Sequence, residues 1–205
     1  MISIGLKETE SVTFDNVMKD FILEHYSEDG EYYNDEISDF NDLRDATMTP
    51  CRDEDGIDLL YEYYNQLYFI DNRFFPPSRP LGVFLSWYDS LTGLVSIQKT
   101  CAFEKASVLF NIGALFTQIG SRTTRLKRDG IEDAIESFQH AAGAFNYIRL
   151  NFSNAPTADM SPARVSRPDF YKFLGIFFPV HVCFRSIAQI EALGEVIQIN
   201  RKNKI

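Results

Sequence analysis

The stretch CAFEKASVLFNIGALFTQIGSR, residues 101–122, decides the fold, because it is the strongest helical pattern in the chain. Small residues recur in it at intervals of seven, at Ala106, Gly113 and Gly120, and this spacing keeps them near one helix face. A glycine in a helix interior costs about 1 kcal/mol relative to alanine. We therefore predict that a neighbouring backbone packs closely against this face.

The helices on either side of this stretch are predicted from the same periodicity. Segment 128–152 follows it and carries one apolar stripe: Ile131, Ala134, Ile135, Phe138, Ala142, Phe145, Ile148 and Phe152. Segment 57–74 is apolar most of the way round, which is typical of a helix buried on more than one side.

The N-terminal third predicts a pair of amphipathic helices. Segments 13–26 and 31–46 each have an apolar face, and the second has a very acidic outer face. We expect the two to pack as a helical hairpin. Thr13 or Asp15 is a suitable N-cap for the first of them.

In two segments, apolar and polar residues instead alternate with a period of two. Residues 2–7, ISIGLK, have strand character, and residues 81–99 are typical of a strand, a turn at DSLTG (89–93) and a second strand. Together they predict a three-stranded sheet. The residues therefore indicate a mainly α protein of packed antiparallel hairpins with one small antiparallel β-sheet.

Composition limits the classes of function. The net charge of −9 argues against nucleic-acid binding, which needs clustered lysine and arginine. The three cysteines, Cys51, Cys101 and Cys183, are odd in number and lack metal-ligand spacing, which indicates a reducing compartment. The N-terminus has no signal-peptide pattern, so a cytoplasmic location is expected.

No motif in the chain predicts catalysis, a metal or a cofactor. None of the histidines, including His25 and His140, has a partner nearby in sequence, and DEDGID (53–58) lacks the ligand spacing of an EF-hand loop. An enzyme that uses Cys51 with His25 or His140 stays open as a minor alternative.

Two further features have competing interpretations. The P-x-x-P match at 77–80 is interpreted as a rigid connector, with an SH3 ligand as the alternative. Four tyrosines in segment 57–74 are interpreted as core, with phosphorylation sites or an aromatic surface as the alternative: Tyr61, Tyr63, Tyr64 and Tyr68.

Seven sequence blocks, in this order along the chain, indicate a family as well as a fold: IGLKETESVTF, FILEHYSEDGEYYNDEI, YYNQLYFIDNRFFPP, WYDSLTG, FEKASVLFNIGALFTQIGSR, FQHAAGAFNYIR and DMSPA. They resemble the BRO-domain family of the ALIX and rhophilin type, and the rhophilin branch most. The match runs from about residue 2 to about residue 163. The resemblance implies a boomerang-shaped domain with a small sheet, helical hairpins and a tetratricopeptide-like helical core.

The family resemblance implies a non-enzymatic adaptor. In the ALIX branch a hydrophobic patch takes the C-terminal amphipathic helix of ESCRT-III subunits, which serves endosomal sorting. Rhophilins are adaptors in Rho GTPase signalling and actin organisation, through segments outside the BRO domain. In this chain the resemblance places the rim of the patch at Arg128, Asp129 and Glu132.

The resemblance ends at a seam after residue 163. Arg167 and Pro168 should stop the helix that DMSPA begins, so residues 1–163 are interpreted as the N-terminal part of a BRO domain and 164–205 as a divergent apolar and basic tail. The apolar run 170–184 is too short for a membrane span of about 20 residues, although interfacial membrane contact stays open.

If the tail replaces the second half of the domain, two consequences are expected. Helices 101–122 and 128–152 lose neighbours that would cover them, which lowers stability. The main apolar contacts of the ESCRT-type patch are also missing, so the alternative to an active adaptor is a truncated form that is inactive or competitive.

Overall fold

The structure is a computed structural model that describes residues 3–74 and 81–152. Its elements in chain order are β1 Glu8–Thr9, α1 Asp15–Tyr26, α2 Asn34–Ala46, α3 Glu54–Arg73, β2 Leu85–Tyr88, β3 Val95–Gln98, α4 Cys101–Arg122 and α5 Arg128–Asn151. The predicted mainly α fold with a small antiparallel sheet is confirmed. The P-x-x-P match at 77–80 and the tail 164–205 lie outside the described residues.

Glycines form the contact between α4 and α5. A Cβ atom on Gly113 would lie 2.9 Å from the ring of Phe145, and one on Gly120 would lie 3.1 Å from the Cβ atom of Ser137. Both distances are shorter than ordinary van der Waals contacts, so a side chain at either position would require α5 or its side chains to shift. The predicted close approach of a neighbouring backbone is confirmed at Gly120, where a Cβ atom would lie 3.3 Å from the Ala134 carbonyl oxygen, whereas the close neighbour of Gly113 is a ring.

α4 is the central helix and is buried along most of its length. α3 runs antiparallel to it, since the Arg122 guanidinium at the end of α4 donates a 3.1 Å hydrogen bond to the carbonyl of Arg52, just before α3 begins. At the other end of α4, the Cys101 thiol donates to the Leu67 carbonyl at 3.6 Å. α3 and α5 thus flank α4 and cover two of its sides.

The segment before the sheet lies extended along α4. The Asn111 amide accepts a 2.7 Å hydrogen bond from the Lys7 N–H and donates one of 3.0 Å to the Lys7 carbonyl. The Ile4 N–H likewise donates a 2.9 Å hydrogen bond to the Thr117 hydroxyl, and the Gln118 amide donates one of 2.7 Å to the Ile4 carbonyl. The predicted N-terminal strand is wrong here, because helix side chains take the backbone groups that a neighbouring strand would need.

The sheet has the order β1–β2–β3 and is antiparallel throughout. Trp87 lies in the central strand with its side chain in the core. The predicted turn is closed by Asp89, whose carboxylate accepts hydrogen bonds from the N–H groups of Leu91 and Thr92 at 3.1 and 2.8 Å. Gly93 completes the turn with φ of +68°, a conformation that favours glycine.

α1 and α2 pack together, as predicted, with the rings of Phe14 and Phe40 5.2 Å apart in an edge contact. The predicted N-caps Thr13 and Asp15 are wrong. The Phe14 N–H instead donates a 3.0 Å hydrogen bond to the Asn41 side chain of α2. This tertiary contact ties the start of α1 to α2.

Candidate functional site

The three residues assigned to the rim of a binding patch lie in the first two turns of α5. Arg128 and Glu132 form an exposed ion pair one helical turn apart, with 2.7 Å between Nε and Oε1. Asp129 is also exposed and lies in the first turn, where the helix dipole favours an acidic side chain. Exposed pairs of this kind contribute about 0.3–0.5 kcal/mol, so the fold does not depend on them.

The turn that leads into α5 presents an apolar side chain beside these charges. Leu126 is 91% exposed, the largest exposed fraction among the large hydrophobic residues of the described part. The turn itself is tight, since a Cβ atom on Gly130 would lie 2.0 Å from the Thr124 carbonyl oxygen. The N-cap residue Lys127 makes no side-chain capping bond. The start of α5 therefore combines an exposed leucine with charges of both signs.

A second exposed surface lies at the opposite end of α5. Tyr61, Tyr64 and Tyr68 recur at helical spacing on α3, and Tyr147 and Leu150 lie near the end of α5. We call these five residues the aromatic surface; all are at least partly exposed. Burial, together with the influence of Tyr147, raises the pKa of Tyr64 to about 12. Sequence reasoning assigned Tyr61, Tyr64 and Tyr68 to the core, but only Tyr63 is fully buried.

A buried ion pair at the centre of the domain is the feature that sequence reasoning missed. Arg44 of α2 and Glu104 of α4 are both 0% exposed, with 2.7 Å between Nε and Oε1. The Glu104 carboxylate also accepts hydrogen bonds from the Trp87 indole at 2.5 Å and the Tyr63 hydroxyl at 3.1 Å. The Arg44 guanidinium donates to the Thr9 hydroxyl at 2.6 Å. The contacts join α2, α3, α4, β1 and β2.

The sequence contains a weak signal for this pair. Arg44 falls on the apolar face of α2, and Glu104 is the single acidic residue of α4. A charged residue at a core position is rarely buried without a partner. The two positions are far apart in the chain, so the sequence pattern does not indicate that they pair with each other.

The cysteine and histidine candidates do not form a catalytic arrangement in the described part. Cys51 is exposed, and no hydrogen bond joins it to His25 or His140 within residues 3–74 and 81–152. His25 stacks on Phe21 with 4.1 Å between ring centroids, and His140 stacks on Phe116 at 4.9 Å. Both histidines thus have packing roles.

The acidic segment 53–58 has a structural role as well. Asp53 is the N-cap of α3 and accepts a 3.2 Å hydrogen bond from the Gly56 N–H. Across the described ranges, no group of three or more histidine, cysteine, aspartate or glutamate side chains is placed to hold a metal ion. None of the described helices is long and apolar enough to cross a membrane.

The described part is thus a mainly helical domain with exposed apolar and charged side chains and a small antiparallel sheet. A family model described as the BRO1-like domain matches residues 1–171, and the chain belongs to this family. The resemblance stated from the sequence blocks is thereby confirmed.

The curated relatives confirm the rhophilin branch. The chain is 56% identical to Rhophilin-2 of Homo sapiens over 166 residues, which cover 81% of this chain and 24% of the relative. It is 54% identical to Rhophilin-1 of Mus musculus over 166 residues, again 81% of this chain and 26% of the relative. The chain thus spans about a quarter of the length of the curated relatives it matches.

Two solved structures with Bro1 in their titles have a similar fold. The structure titled "ALIX BRO1 CHMP4C complex" matches with a TM-score of 0.68 and 27% identity over 79% of this chain and 50% of that chain. A structure titled "Structure basis for endosomal targeting by the Bro1 domain" matches with a TM-score of 0.61 and 28% identity, over 76% of this chain and 44% of that chain.

Proposed function

We propose that this chain is an adaptor that binds an amphipathic helix of a partner protein at the start of α5. The observation that carries the proposal is the likeness to the ALIX BRO1 domain in a complex with CHMP4C, which extends over 79% of this chain. The proposed rim is Arg128, Asp129 and Glu132, with Leu126 beside it.

The exposed groups at the start of α5 suit such a helix. An amphipathic helix presents an apolar stripe with charged residues along its borders. Leu126 offers an apolar contact to the stripe. Arg128 can pair with an acidic residue of the partner, while Glu132 can pair with a basic one.

The relatives suggest the cellular setting of this adaptor. Similarity to rhophilins supports a role in Rho GTPase signalling and actin organisation, through Rho-pathway components that contact other segments. Similarity to ALIX supports a link to ESCRT-III and endosomal trafficking, with a cytoplasmic, endosome-associated location. The alternative follows from the seam after residue 163: a form without the main apolar contacts of the patch, which is inactive or acts as a competitor.

The test is calorimetric titration of the CHMP4C C-terminal helix peptide into the full chain. We expect a dissociation constant on the order of micromolar. Glu132→Arg should weaken binding about tenfold, because it reverses a charge at the proposed contact. Glu136→Arg, one turn further along the same exposed face, is the matched control and should change affinity less than about twofold. Absence of binding by the unsubstituted chain would favour the inactive form, and equal effects of both substitutions would contradict the proposed position.

A further inference from the structure

The edge strand β3 carries its side chains the opposite way from an ordinary strand of a small sheet. Ser96 pairs with the core residue Trp87, and Gln98 lies on the same face, so the polar residues of β3 point towards the core. Val95 and Ile97 lie on the outer face, where they are 46% and 53% exposed. An antiparallel sheet with one solvated face normally has apolar residues on the inside and polar ones outside. The reversed pattern of β3 marks its outer face as a surface for a further contact.

An aromatic ring and a cation continue this face beyond the end of β3. Lys99 follows the strand, and because side chains alternate along a strand it lies on the same face as Val95 and Ile97. The Lys99 Nζ atom lies 4.0 Å from the centroid of the Phe84 ring, which is 63% exposed. We call Phe84, Val95, Ile97 and Lys99 the β3 surface. It combines exposed apolar groups with one positive charge at one end.

The backbone of β3 is also open to a further strand. The Asp89 N–H donates a 2.9 Å hydrogen bond to the Leu94 carbonyl, and hydrogen-bonded pairs alternate along two antiparallel strands. Val95 and Ile97 therefore direct their N–H and C=O groups away from β2. The Lys99 carbonyl points the same way and accepts a 2.9 Å hydrogen bond from outside the sheet. Within residues 3–74 and 81–152, no hydrogen bond reaches the outward backbone groups of Val95 and Ile97.

An extended peptide would satisfy the side chains and the backbone of this edge together. As a fourth antiparallel strand it would pair with the outward groups of Val95 and Ile97, and its alternate side chains would lie beside theirs. A helix laid on the same face would leave those backbone groups unpaired. A second copy of the chain is disfavoured, because each copy has a net charge of −9. The four residues of β3 also offer far less than the area of about 1,200 Å² that a stable interface buries.

The charges around the edge define the peptide further. An added strand would lie about 4.8 Å from β3, within reach of the Lys99 side chain. Glu8 lies on β1, at the other edge of the sheet, and is separated from the added strand by three strand spacings, or about 14 Å. That distance exceeds the screening length of about 8 Å at physiological ionic strength, so Lys99 dominates. An acidic peptide residue is therefore favoured opposite Lys99, two positions before the first apolar residue of the antiparallel peptide.

We propose that β3 binds an extended segment of a partner protein by strand addition. The segment has apolar residues opposite Val95 and Ile97 and an acidic residue opposite Lys99. This site lies on the sheet and shares no residue with the proposed helix-binding site at the start of α5. It therefore stands whether or not that site binds a helix.

Titration of a synthetic peptide into the full chain tests this proposal. The peptide alternates two valines with threonines and has a glutamate two residues before the first valine. We expect a dissociation constant on the order of 100 μM. With about 1 mM peptide, hydrogen exchange of the Val95 and Ile97 amides, followed by NMR, should slow about tenfold. The Ser96 and Gln98 amides already bond to β2 and should change less than about twofold. Absence of binding, or equal changes at all four amides, would overturn the proposal.

Methylation of the peptide backbone distinguishes strand addition from apolar contact alone and leaves the chain unchanged. A methyl group on the first valine nitrogen removes an N–H that faces β3, so affinity should fall at least about tenfold. A methyl group on the nitrogen of the next threonine removes an N–H that faces away from β3, so affinity should change less than about twofold. Equal effects of the two methyl groups would contradict pairing with the edge.

Two substitutions compare the strand with the turn beside it. Ile97→Ser should weaken binding at least about fivefold, because it removes an apolar contact. Leu94→Ser is the matched control: Leu94 is 65% exposed but lies next to the turn, and its loss should change affinity less than about twofold. An equal or larger effect of Leu94→Ser would place the contact at the turn and overturn the proposal. A chain that sediments as a dimer without peptide, and as a monomer with Ile97→Ser, would overturn it in favour of a second copy.

A charge exchange tests the position of the acidic residue. Lys99→Glu should weaken binding of the glutamate peptide at least about fivefold, and a peptide with lysine in place of glutamate should restore the affinity. Unchanged affinity of Lys99→Glu for the glutamate peptide would contradict the proposed register.

Discussion

Replacement of Glu104 by glutamine tests whether the buried ion pair holds the domain together. Glu104 and Arg44 are both 0% exposed, so no solvent screens the guanidinium once the opposite charge is gone. The Trp87 indole can still donate to the glutamine carbonyl, so the loss is chiefly that of the charge.

The expected loss of unfolding free energy is about 3–5 kcal/mol, the range for breaking a buried pair by removal of one partner. A domain of this size has about 5–15 kcal/mol in total, so Glu104→Gln should unfold at much lower denaturant concentration. Arg44→Met should cost a similar amount, because it leaves the carboxylate without its counter-charge. The double substitution should cost clearly less than both together, since neither charge is then left unpaired.

Urea unfolding followed by circular dichroism at 222 nm measures all four proteins. Trp87 fluorescence gives a second signal from the site itself, since Trp87 is the chain's single tryptophan. The exposed pair supplies the control: Glu132→Gln should cost no more than about 0.5 kcal/mol. The reasoning would be refuted if each single substitution lowered the free energy of unfolding by less than about 1 kcal/mol and the double substitution lowered it by the sum of the two.

Three further predictions concern single elements. Gly113→Ala should destabilise the chain by about 1–3 kcal/mol, because its Cβ atom meets a ring of α5, whereas Gly143→Ala, with open space around it, should stabilise by about 0.5–1 kcal/mol in the same urea assay. Asn111→Ala should abolish hydrogen-exchange protection of the Lys7 amide, which bonds to that side chain; unchanged protection would contradict the contact. Burial acts to raise the pKa of Asp89, but hydrogen bonds from its own turn outweigh it and the pKa is lowered. The stability that Asp89 contributes should be present above the ordinary carboxyl pKa of about 3.9 and lost as pH falls through its lower folded value. An NMR titration of its carboxyl group checks this.

Apolar residues spaced three and four apart were sufficient to locate the helices. Alternation of apolar and polar residues with a period of two was sufficient to locate the β-hairpin. The 101–122 and 128–152 helices have the predicted bounds to within a residue, and the DSLTG turn lies where aspartate and glycine indicated it. The N-terminal segment differs, because its alternation is that of a strand while its hydrogen-bond partners are side chains of α4. Periodicity reports which side of a segment is apolar, but not which groups take its backbone hydrogen bonds.

The candidate sites also differ in how far the sequence predicted them. Arg128, Asp129 and Glu132 were reached through the family resemblance, and the structure places them together at the exposed start of α5. An exposed aromatic surface was only the alternative to a core position for Tyr61, Tyr64 and Tyr68, because a tyrosine on an apolar helix has the same local pattern whether a neighbour covers it or not. Exposure depends on which elements pack alongside, and this is decided by contacts between residues far apart in the chain.

The sequence by itself determined the mainly α class, the order of the elements, the glycine contact of the central helix and the family. These depend on local spacing and on ordered blocks of residues, both of which are visible in one dimension. Only the tertiary structure decided that Arg44 and Glu104 form one buried pair, that α4 side chains bond the backbone of Ile4 and Lys7, and that three tyrosines of α3 reach the surface. Each of these joins segments that are distant in the chain, and the free energy of such contacts depends on burial and geometry that exist only after the helices pack.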